Sequence, residues 1–105
     1  GSFFKNPIIA SEVADTLAID YPELPIYPHT ESASKLPAAW LIEHCGFKGY
    51  RKGNVGVHHN QALVLVNYQG NGEDMLALAD EIMSKVFQKF SVRLELEPRV
   101  YGVPD

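Results

Sequence analysis

The chain has 105 residues, of which 46% are hydrophobic and 21% charged, a balance typical of one soluble globular domain and too apolar for a disordered chain. Its formal net charge of -4 provides no overall positive field for a phosphate backbone, so we expect no nucleic-acid partner. The single cysteine excludes an intramolecular disulfide, and no apolar run approaches the ~20 residues of a membrane span, which predicts a cytoplasmic protein without a membrane partner.

The first half of the chain predicts one short strand and two helices. Residues 2–6 favour an extended strand because they include two adjacent phenylalanines. Apolar residues recur at helical spacing over residues 11–21, which predicts the first helix. A proline-rich stretch over residues 22–34 indicates an irregular loop. Pro37 in a first turn and Gly46 just beyond a last turn predict the second helix.

The second half predicts a buried strand, a long helix and a final strand. Residues 62–67 form an apolar, β-branched run suited to a buried strand. Asn71 can cap a third helix that continues to Phe90, and residues 92–97 alternate apolar and polar side chains as a half-buried strand does. The order β, α, α, β, β, α, β predicts one α+β domain over residues 1–105, a single two-layer domain with helices packed on one face of a small mixed sheet.

Residue types alone give weak chemical signals. The chain contains no nucleophile elbow, no glycine-rich phosphate loop and no zinc-ligand spacing. His58 and His59 are adjacent, and adjacent strand residues point to opposite faces, so an ordinary strand-end pair is favoured over a metal site. Cys45 lies on the apolar side of the second helix, which favours core packing over reactivity. We therefore expect no bound metal.

Four segments in the same order nevertheless resemble one family. Residues 1–7 read Gly-Ser-Phe-Phe-Lys-Asn-Pro, and residues 36–49, 58–67 and 90–102 extend the similarity over essentially the whole chain. Together they resemble the C-terminal, substrate-binding domain of UDP-N-acetylenolpyruvylglucosamine reductase (UDP-N-acetylmuramate dehydrogenase). Residues 54–57 differ from the sequence that is more common in the family at these positions, so the resemblance does not define the geometry of that turn.

The resemblance implies an oxidoreductase of bacterial peptidoglycan synthesis. In that family, hydride passes from NADPH to FAD and then to the enolpyruvyl ether of UDP-N-acetylglucosamine enolpyruvate. The family's FAD-binding domains and its catalytic arginine precede the matched serine, so they would lie in an N-terminal part of the same polypeptide. The resemblance therefore implies that this chain binds no cofactor of its own and is inactive alone. We expect a monomer, although the sequence itself does not determine the oligomeric state.

The resemblance also implies roles for particular residues. Ser2 matches the serine that protonates the substrate carbon, although Gly1-Ser2 could also be a remnant of an expression tag. Glu97 matches the glutamate that holds the enolic intermediate, although this chain has Pro98 where the family usually has valine, and Glu95 is an alternative on the same strand face. Four further residues match positions that contact the uridine diphosphate portion of the substrate: Asn6, Tyr27, Lys35 and Gln61.

Two other functions stay open on the sequence alone. The chain could be a stand-alone nucleotide-sugar-binding module without catalysis, or a non-catalytic structural or interaction domain. Each of the four matched polar residues could also be an ordinary surface side chain, and Glu97 could be a solvated strand carboxylate.

Overall fold

The computed structural model describes residues 3–97, and within that range three helices accompany two three-stranded antiparallel sheets. The predicted α+β class is confirmed. The strands are divided between two antiparallel sheets, whereas one mixed sheet was predicted. Every strand is only two or three residues long, and each pairs across a nearby turn or helix, so neither sheet extends into the other.

The first sheet contains β1 (Ile8–Ala10), β2 (Tyr27–Pro28) and β3 (Ala33–Lys35) in the order β1-β3-β2. Helix α1 (Ser11–Asp20) follows β1 directly. The predicted helix over residues 11–21 is confirmed. The proline-rich stretch that was predicted to be irregular contains β2 and the start of β3, because a turn between them folds one short strand against the other.

Helix α2 (Ala38–His44) begins after Pro37 and is followed by Gly46, whose φ of +85° is the left-handed conformation that glycine adopts most easily. Pro37 and Gly46 therefore mark the beginning and the end of the second helix, as predicted. The second sheet follows in the order β4-β5-β6, formed by β4 (Arg51–Lys52), β5 (Val55–Val57) and β6 (Leu65–Asn67).

The strand predicted over residues 62–67 is confirmed only for its last three residues. The backbone N–H of Val64 donates to the carbonyl of Gln61 at 3.0 Å, so residues 61–64 form a turn. The side chain of Ala62 is buried in that turn. An apolar run marks burial, and here part of the buried run is a turn and only part is a strand.

Helix α3 (Gly72–Phe90) begins with the predicted cap. The Asn71 side chain accepts a hydrogen bond from the backbone N–H of Asp74 at 2.9 Å, and the Asp74 carboxylate accepts one from the backbone N–H of Asn71 at 3.1 Å. This reciprocal capping box satisfies two donors that a helix start would otherwise leave unpaired. The apolar face of α3 buries five side chains: Leu78, Ala79, Ile82, Val86 and Phe90.

The first and last described segments meet each other. Phe4 and Leu96 form an antiparallel bridge, with the N–H of Lys5 donating to the carbonyl of Glu95 and the N–H of Glu97 donating to the carbonyl of Phe3, both at 2.9 Å. The strands predicted over residues 2–6 and 92–97 therefore pair in the described residues, although over a single bridge. The predicted alternation is confirmed, because Val92 and Leu94 are buried while the intervening side chains are exposed.

One hydrophobic core joins α2, α3, the second sheet and the paired terminal segments, and its largest fully buried side chains include Phe4, Phe90, Leu36 and Leu41. Among residues 3–97, no helix is both long and apolar enough to cross a membrane.

A polar cluster connects the second sheet to α3. The Glu81 carboxylate accepts hydrogen bonds from the Lys52 ammonium at 2.8 Å and from the Tyr50 hydroxyl at 3.0 Å. The bond from Lys52 is the largest cause that lowers the pKa of Glu81, while the bond to Glu81 raises the pKa of Tyr50. The ionised carboxylate is therefore the form that the folded protein stabilises.

We predict that Glu81→Gln lowers the free energy of unfolding at pH 7 by about 1 kcal/mol, because it removes a charge-assisted hydrogen bond. Since the folded pKa of Glu81 lies below its unfolded value, the stabilisation is present above the unfolded pKa, near 4.3, and is lost as the pH falls through the folded pKa. In urea unfolding curves recorded across the pH range, the stabilities of the wild type and the variant should converge as the pH falls below the folded pKa of Glu81.

Glu31→Gln is the matched control, because Glu31 is exposed and its side chain has no hydrogen bond or ion pair with residues 3–97. A stability difference between wild type and Glu81→Gln that does not shrink as the pH is lowered from 7 into the acid range would contradict the assignment.

Candidate functional site

The pairing of the first and last described segments across the Phe4–Leu96 bridge, which we call the terminal pairing, determines where Glu97 lies. Its backbone N–H is bonded to the carbonyl of Phe3, so the glutamate is opposite the residue that follows Ser2 in the chain. The Glu97 side chain is exposed and makes no ion pair or hydrogen bond with any side chain of the described range. Ser2 itself lies outside the described residues.

Glu95 has a different environment from Glu97. Its carboxylate is 3.3 Å from the Lys5 ammonium, in an ion pair whose two side chains are 73% and 44% exposed. Because the two glutamates are separated by one residue on an extended segment, they lie on the same face. Within residues 3–97 the two glutamates differ in their partners: Glu95 is paired with Lys5, whereas the Glu97 side chain has no ion pair or side-chain hydrogen bond.

Asn6 has a structural contact. Its side-chain oxygen accepts a hydrogen bond from the backbone N–H of Ala38 at 2.9 Å, which satisfies the first donor of α2. The helix has no side-chain cap from its own N-cap residue, Pro37. This bond occupies the oxygen of Asn6 and leaves the two N–H donors of its amide for another partner.

The first sheet brings Tyr27 and Lys35 together. They are direct cross-strand partners between β2 and β3, and Ile8 of β1 is the opposite neighbour of Lys35. Directly opposite residues in an antiparallel pair have their side chains on the same face, so the three side chains form one row. Tyr27 is 53% exposed. Ser34, the residue of β3 that precedes Lys35, is buried, and its hydroxyl lies 2.8 Å from that of Ser11.

Gln61 lies elsewhere. It is exposed in the turn before β6 and lines a pocket of about 410 Å³ together with Ala39 and Glu43 of α2. Gln61 is connected to the terminal pairing only indirectly. Leu63, in the same turn as Gln61, accepts at its carbonyl a hydrogen bond from the N–H of Phe3 at 2.8 Å. Of the four residues matched to uridine diphosphate contacts, Tyr27 and Lys35 are direct neighbours, whereas Asn6 and Gln61 line separate pockets.

A second pocket, of about 170 Å³, lies where the terminal pairing meets the first sheet, and we call it the Asn6 pocket. It is lined by Lys5, Asn6, Pro7, Ile8, Arg93 and Glu95. Sequence reasoning did not single out Lys5 or Arg93. Lys5 is part of the motif at residues 1–7, which was a usable signal, but the position of Arg93 depends on a pairing between segments about ninety residues apart, which no local pattern encodes.

The two histidines do not behave as the predicted strand pair. Their rings are stacked, with centroids 4.6 Å apart, so they do not point to opposite faces. The physical reason is that His58 and His59 follow β5 in a bend, where strand alternation does not apply. His58 Nδ1 accepts a hydrogen bond from the N–H of Asn60 at 3.0 Å, and residues 3–97 contain no group of three metal-binding side chains.

Cys45 is half-buried and packs against the core, as predicted from its position on α2. Burial raises the pKa of its thiol, and the nearby Lys89 opposes that shift more weakly. The neutral thiol is therefore favoured, which is the inert form.

Comparison with known proteins identifies the family. Residues 1–101 match the model of the UDP-N-acetylenolpyruvoylglucosamine reductase C-terminal domain. The chain belongs to this family. A UDP-N-acetylenolpyruvoylglucosamine reductase of Porphyromonas gingivalis is 52% identical over 98 residues, and proteins with the same name from Chromobacterium violaceum and Pseudomonas putida are 52% and 47% identical over 101 and 102 residues.

These matches cover 92% to 96% of the chain, yet only 29% to 30% of the length of the relatives. The chain therefore corresponds to the C-terminal domain of the reductase family, and spans about three tenths of those relatives. The resemblance drawn from the four segments is confirmed.

We predict that Asn6→Ala lowers the free energy of unfolding by about 1 kcal/mol, because it leaves the N–H of Ala38 without its acceptor. Asn6→Asp retains an acceptor at that position and removes only the amide donors, so it should retain most of the stability. Urea unfolding of the three proteins tests both expectations. Equal stability of wild type and Asn6→Ala would show that the cap contributes nothing.

Proposed function

We propose that this chain is the substrate-binding domain of an NADPH- and FAD-dependent reductase that converts UDP-N-acetylglucosamine enolpyruvate to UDP-N-acetylmuramate for peptidoglycan synthesis in the cytoplasm. Membership of the family supports the proposal, since relatives that match almost the whole chain carry the reductase name. The observation that carries it structurally is the pairing of the two motif-bearing ends, with Glu97 opposite Phe3.

Two residues would act on the reacting part of the substrate. Reduction of the enolpyruvyl group places negative charge next to the substrate carboxylate, and the neighbouring carbon must then be protonated. Ser2 would deliver that proton from its hydroxyl, and Glu97 would hold the enolic intermediate through a hydrogen bond from a protonated carboxyl group. Within residues 3–97 the Glu97 side chain has no side-chain partner, which suits this role better than the environment of Glu95, whose carboxylate is bound to Lys5.

Four residues would hold the nucleotide portion. The Lys35 ammonium supplies countercharge for a diphosphate, and the Tyr27 hydroxyl beside it can bond a phosphate oxygen or sugar hydroxyl. The free amide donors of Asn6 suit the same ligand from the neighbouring pocket. Gln61 lies in a different pocket, so in this proposal it contacts a distant part of the ligand or closes over it.

The hydride chemistry would belong to FAD when it is bound to other parts of the polypeptide. The described residues do not fit a flavin: both sheets are antiparallel, and no parallel strand leads into a glycine-rich phosphate loop at a helix start within residues 3–97. We therefore propose that this domain contributes substrate contacts and the proton donor, and that it is inactive alone.

In the full-length reductase that carries this domain, we predict that Glu97→Gln lowers kcat by about 10²- to 10³-fold, the loss expected when one group that stabilises developing charge is removed. Glu95→Gln is the matched control, because it makes the same chemical change two residues away on the same face. It should change kcat by less than about threefold, since an exposed ion pair contributes little. Steady-state formation of UDP-N-acetylmuramate is the measurement.

Reduction of FAD by NADPH in the absence of the enolpyruvyl substrate provides a second readout, and both variants should retain it. If Glu95→Gln lowers kcat as much as Glu97→Gln does, or more, the assignment of Glu97 is wrong. If neither substitution changes product formation, the glutamates of this strand have no part in the reaction.

A further inference from the structure

Asn71 and Gly72 form the one Asn-Gly dipeptide of the sequence, and they lie where α3 begins. Both residues are exposed, so water reaches the bonds between them. The carbonyl carbon of an asparagine side chain can be attacked by the next backbone nitrogen, which closes a five-membered ring. Glycine hinders this attack least, because it has no side chain beside the nitrogen. The dipeptide is therefore the place in this chain where the ring closes most easily.

The attacking nitrogen is unprotected in the folded protein. Within residues 3–97 the backbone N–H of Gly72 makes no hydrogen bond, as expected for the first residue of a helix, whose N–H has no intrahelical partner. The positive end of the helix macrodipole also favours loss of the proton from this nitrogen. An amide nitrogen attacks a carbonyl carbon effectively only after it has lost its proton. The position of Gly72 therefore promotes the first step.

The capping box restrains the other reactant. The side-chain oxygen of Asn71 accepts a hydrogen bond from the N–H of Asp74 at 2.9 Å, and the N–H of Asn71 donates to the Asp74 carboxylate at 3.1 Å. Together these bonds hold Asn71 at a ψ of -177°. At that angle Cβ of Asn71 and the nitrogen of Gly72 are staggered about the Cα–C bond, whereas a nearly flat ring requires them to be close to eclipsed. The box must therefore open before the ring can form.

We propose that Asn71 is a site of spontaneous deamidation through a succinimide, and that opening of the capping box sets its rate in the folded protein. The nitrogen of Gly72 loses its proton and forms a bond to Cγ of Asn71, and the side-chain amide group leaves as ammonia. Water then opens the ring at either carbonyl, which gives aspartate or isoaspartate at position 71. One water is consumed and one ammonia is released, so the reaction needs no oxidant and no metal.

The two products have different effects on α3. Aspartate retains an oxygen that can accept the hydrogen bond from the N–H of Asp74, so the helix keeps its cap. Isoaspartate adds one carbon to the main chain in front of α3, where the loop packs closely. A Cβ at the neighbouring Gly70 would lie only 2.7 Å from Cγ1 of Val55. A longer main chain would therefore displace this loop from β5 and remove the cap.

The test is incubation of the 105-residue chain at mildly alkaline pH, in buffer and separately in concentrated urea. Peptide mapping by mass spectrometry measures the fraction of aspartate and isoaspartate at position 71 over time. The reaction of the wild type should be more than about tenfold faster in urea than in buffer, because unfolding removes the capping box.

Asp74→Ala tests the restraint, since it removes the acceptor of the Asn71 N–H. It should accelerate the reaction in buffer about fivefold, the change in population that follows the loss of one hydrogen bond of ordinary net strength. The rate in urea should not change. Glu73→Ala is the matched control, because it removes a carboxylate of the same turn that has no hydrogen bond or ion pair within residues 3–97. It should change the rate by less than about twofold, since an exposed charge near a helix end acts weakly.

Gly72→Ala tests the chemistry while the box stays intact. A Cβ at Gly72 would have no atom within 4 Å, apart from its chain neighbours and the backbone of its own helix, and alanine favours a helix more than glycine does. The added side chain hinders ring closure, so the reaction should slow severalfold in buffer and in urea alike.

The outcomes separate the site from its control by the cap. Equal rates of the wild type in buffer and urea would refute control by the capping box, as would equal rates of Asp74→Ala and Glu73→Ala in buffer. If Asn71 keeps its amide in urea, or if Gly72→Ala reacts as fast as the wild type, the assignment of the site is wrong. None of these results depends on the proposed function.

Discussion

Phe4 and Leu96 face each other across the one bridge that connects the beginning and the end of the described chain, and the candidate site depends on that contact. The two backbone hydrogen bonds beside the bridge are individually worth only about 1 kcal/mol, which is too little to close a loop of this length alone. Burial provides the rest. Phe4 is only 1% exposed, and full burial of such a side chain contributes about 1.5–3 kcal/mol.

The same core therefore determines both stability and the placement of chemical groups. Phe90, Val92 and Leu94 anchor the last segment in the interior, which leaves Arg93, Glu95 and Glu97 on the outer face. A shift of one residue in the register would exchange the buried and exposed sets, and would bury charged side chains at a large cost. The register that the core enforces is also the register that places Glu97 opposite Phe3.

The second constraint is the first sheet, which is built separately from the terminal pairing. Its central strand β3 places Lys35 between Tyr27 and Ile8, and the carbonyl of Pro7 accepts a hydrogen bond from the N–H of Leu36 at 2.9 Å. The segment that leaves the terminal pairing thus leads directly into this sheet. The Asn6 pocket lies at that junction and is lined by residues 5–8 of the first segment and by Arg93 and Glu95 of the last.

Sequence reasoning succeeded where the deciding interaction is local. Asn71 and Gly46 signal helix ends through contacts within a few residues, and the alternation of residues 92–97 follows from one strand having one buried face. It failed where the deciding interaction is distant or depends on turns. Short strands in the proline-rich stretch, the turn within the apolar run before β6, and the stacked histidines all result from turn geometry that apolar periodicity does not report.

For the candidate site as well, the sequence indicated individual residues but not the contacts between distant segments. The resemblance implied substrate contacts for Asn6, Tyr27, Lys35 and Gln61, which stay predictions, and the fold brings Tyr27 and Lys35 together. It could not identify the second function of Asn6 as the acceptor for Ala38, nor the position of the Arg93 guanidinium over the Phe87 ring, because both contacts join segments far apart in the chain or on different elements.

The register of the terminal pairing is most directly measured by nuclear Overhauser effects between α-protons of the two segments. Phe4 and Leu96 form a pair that does not exchange hydrogen bonds with each other, and α-carbons in such pairs are about 4.5 Å apart, close enough for a strong effect between their α-protons. We predict that effect between Phe4 and Leu96. A strong effect between Phe4 and Leu94 instead, or none between the two segments, would contradict it.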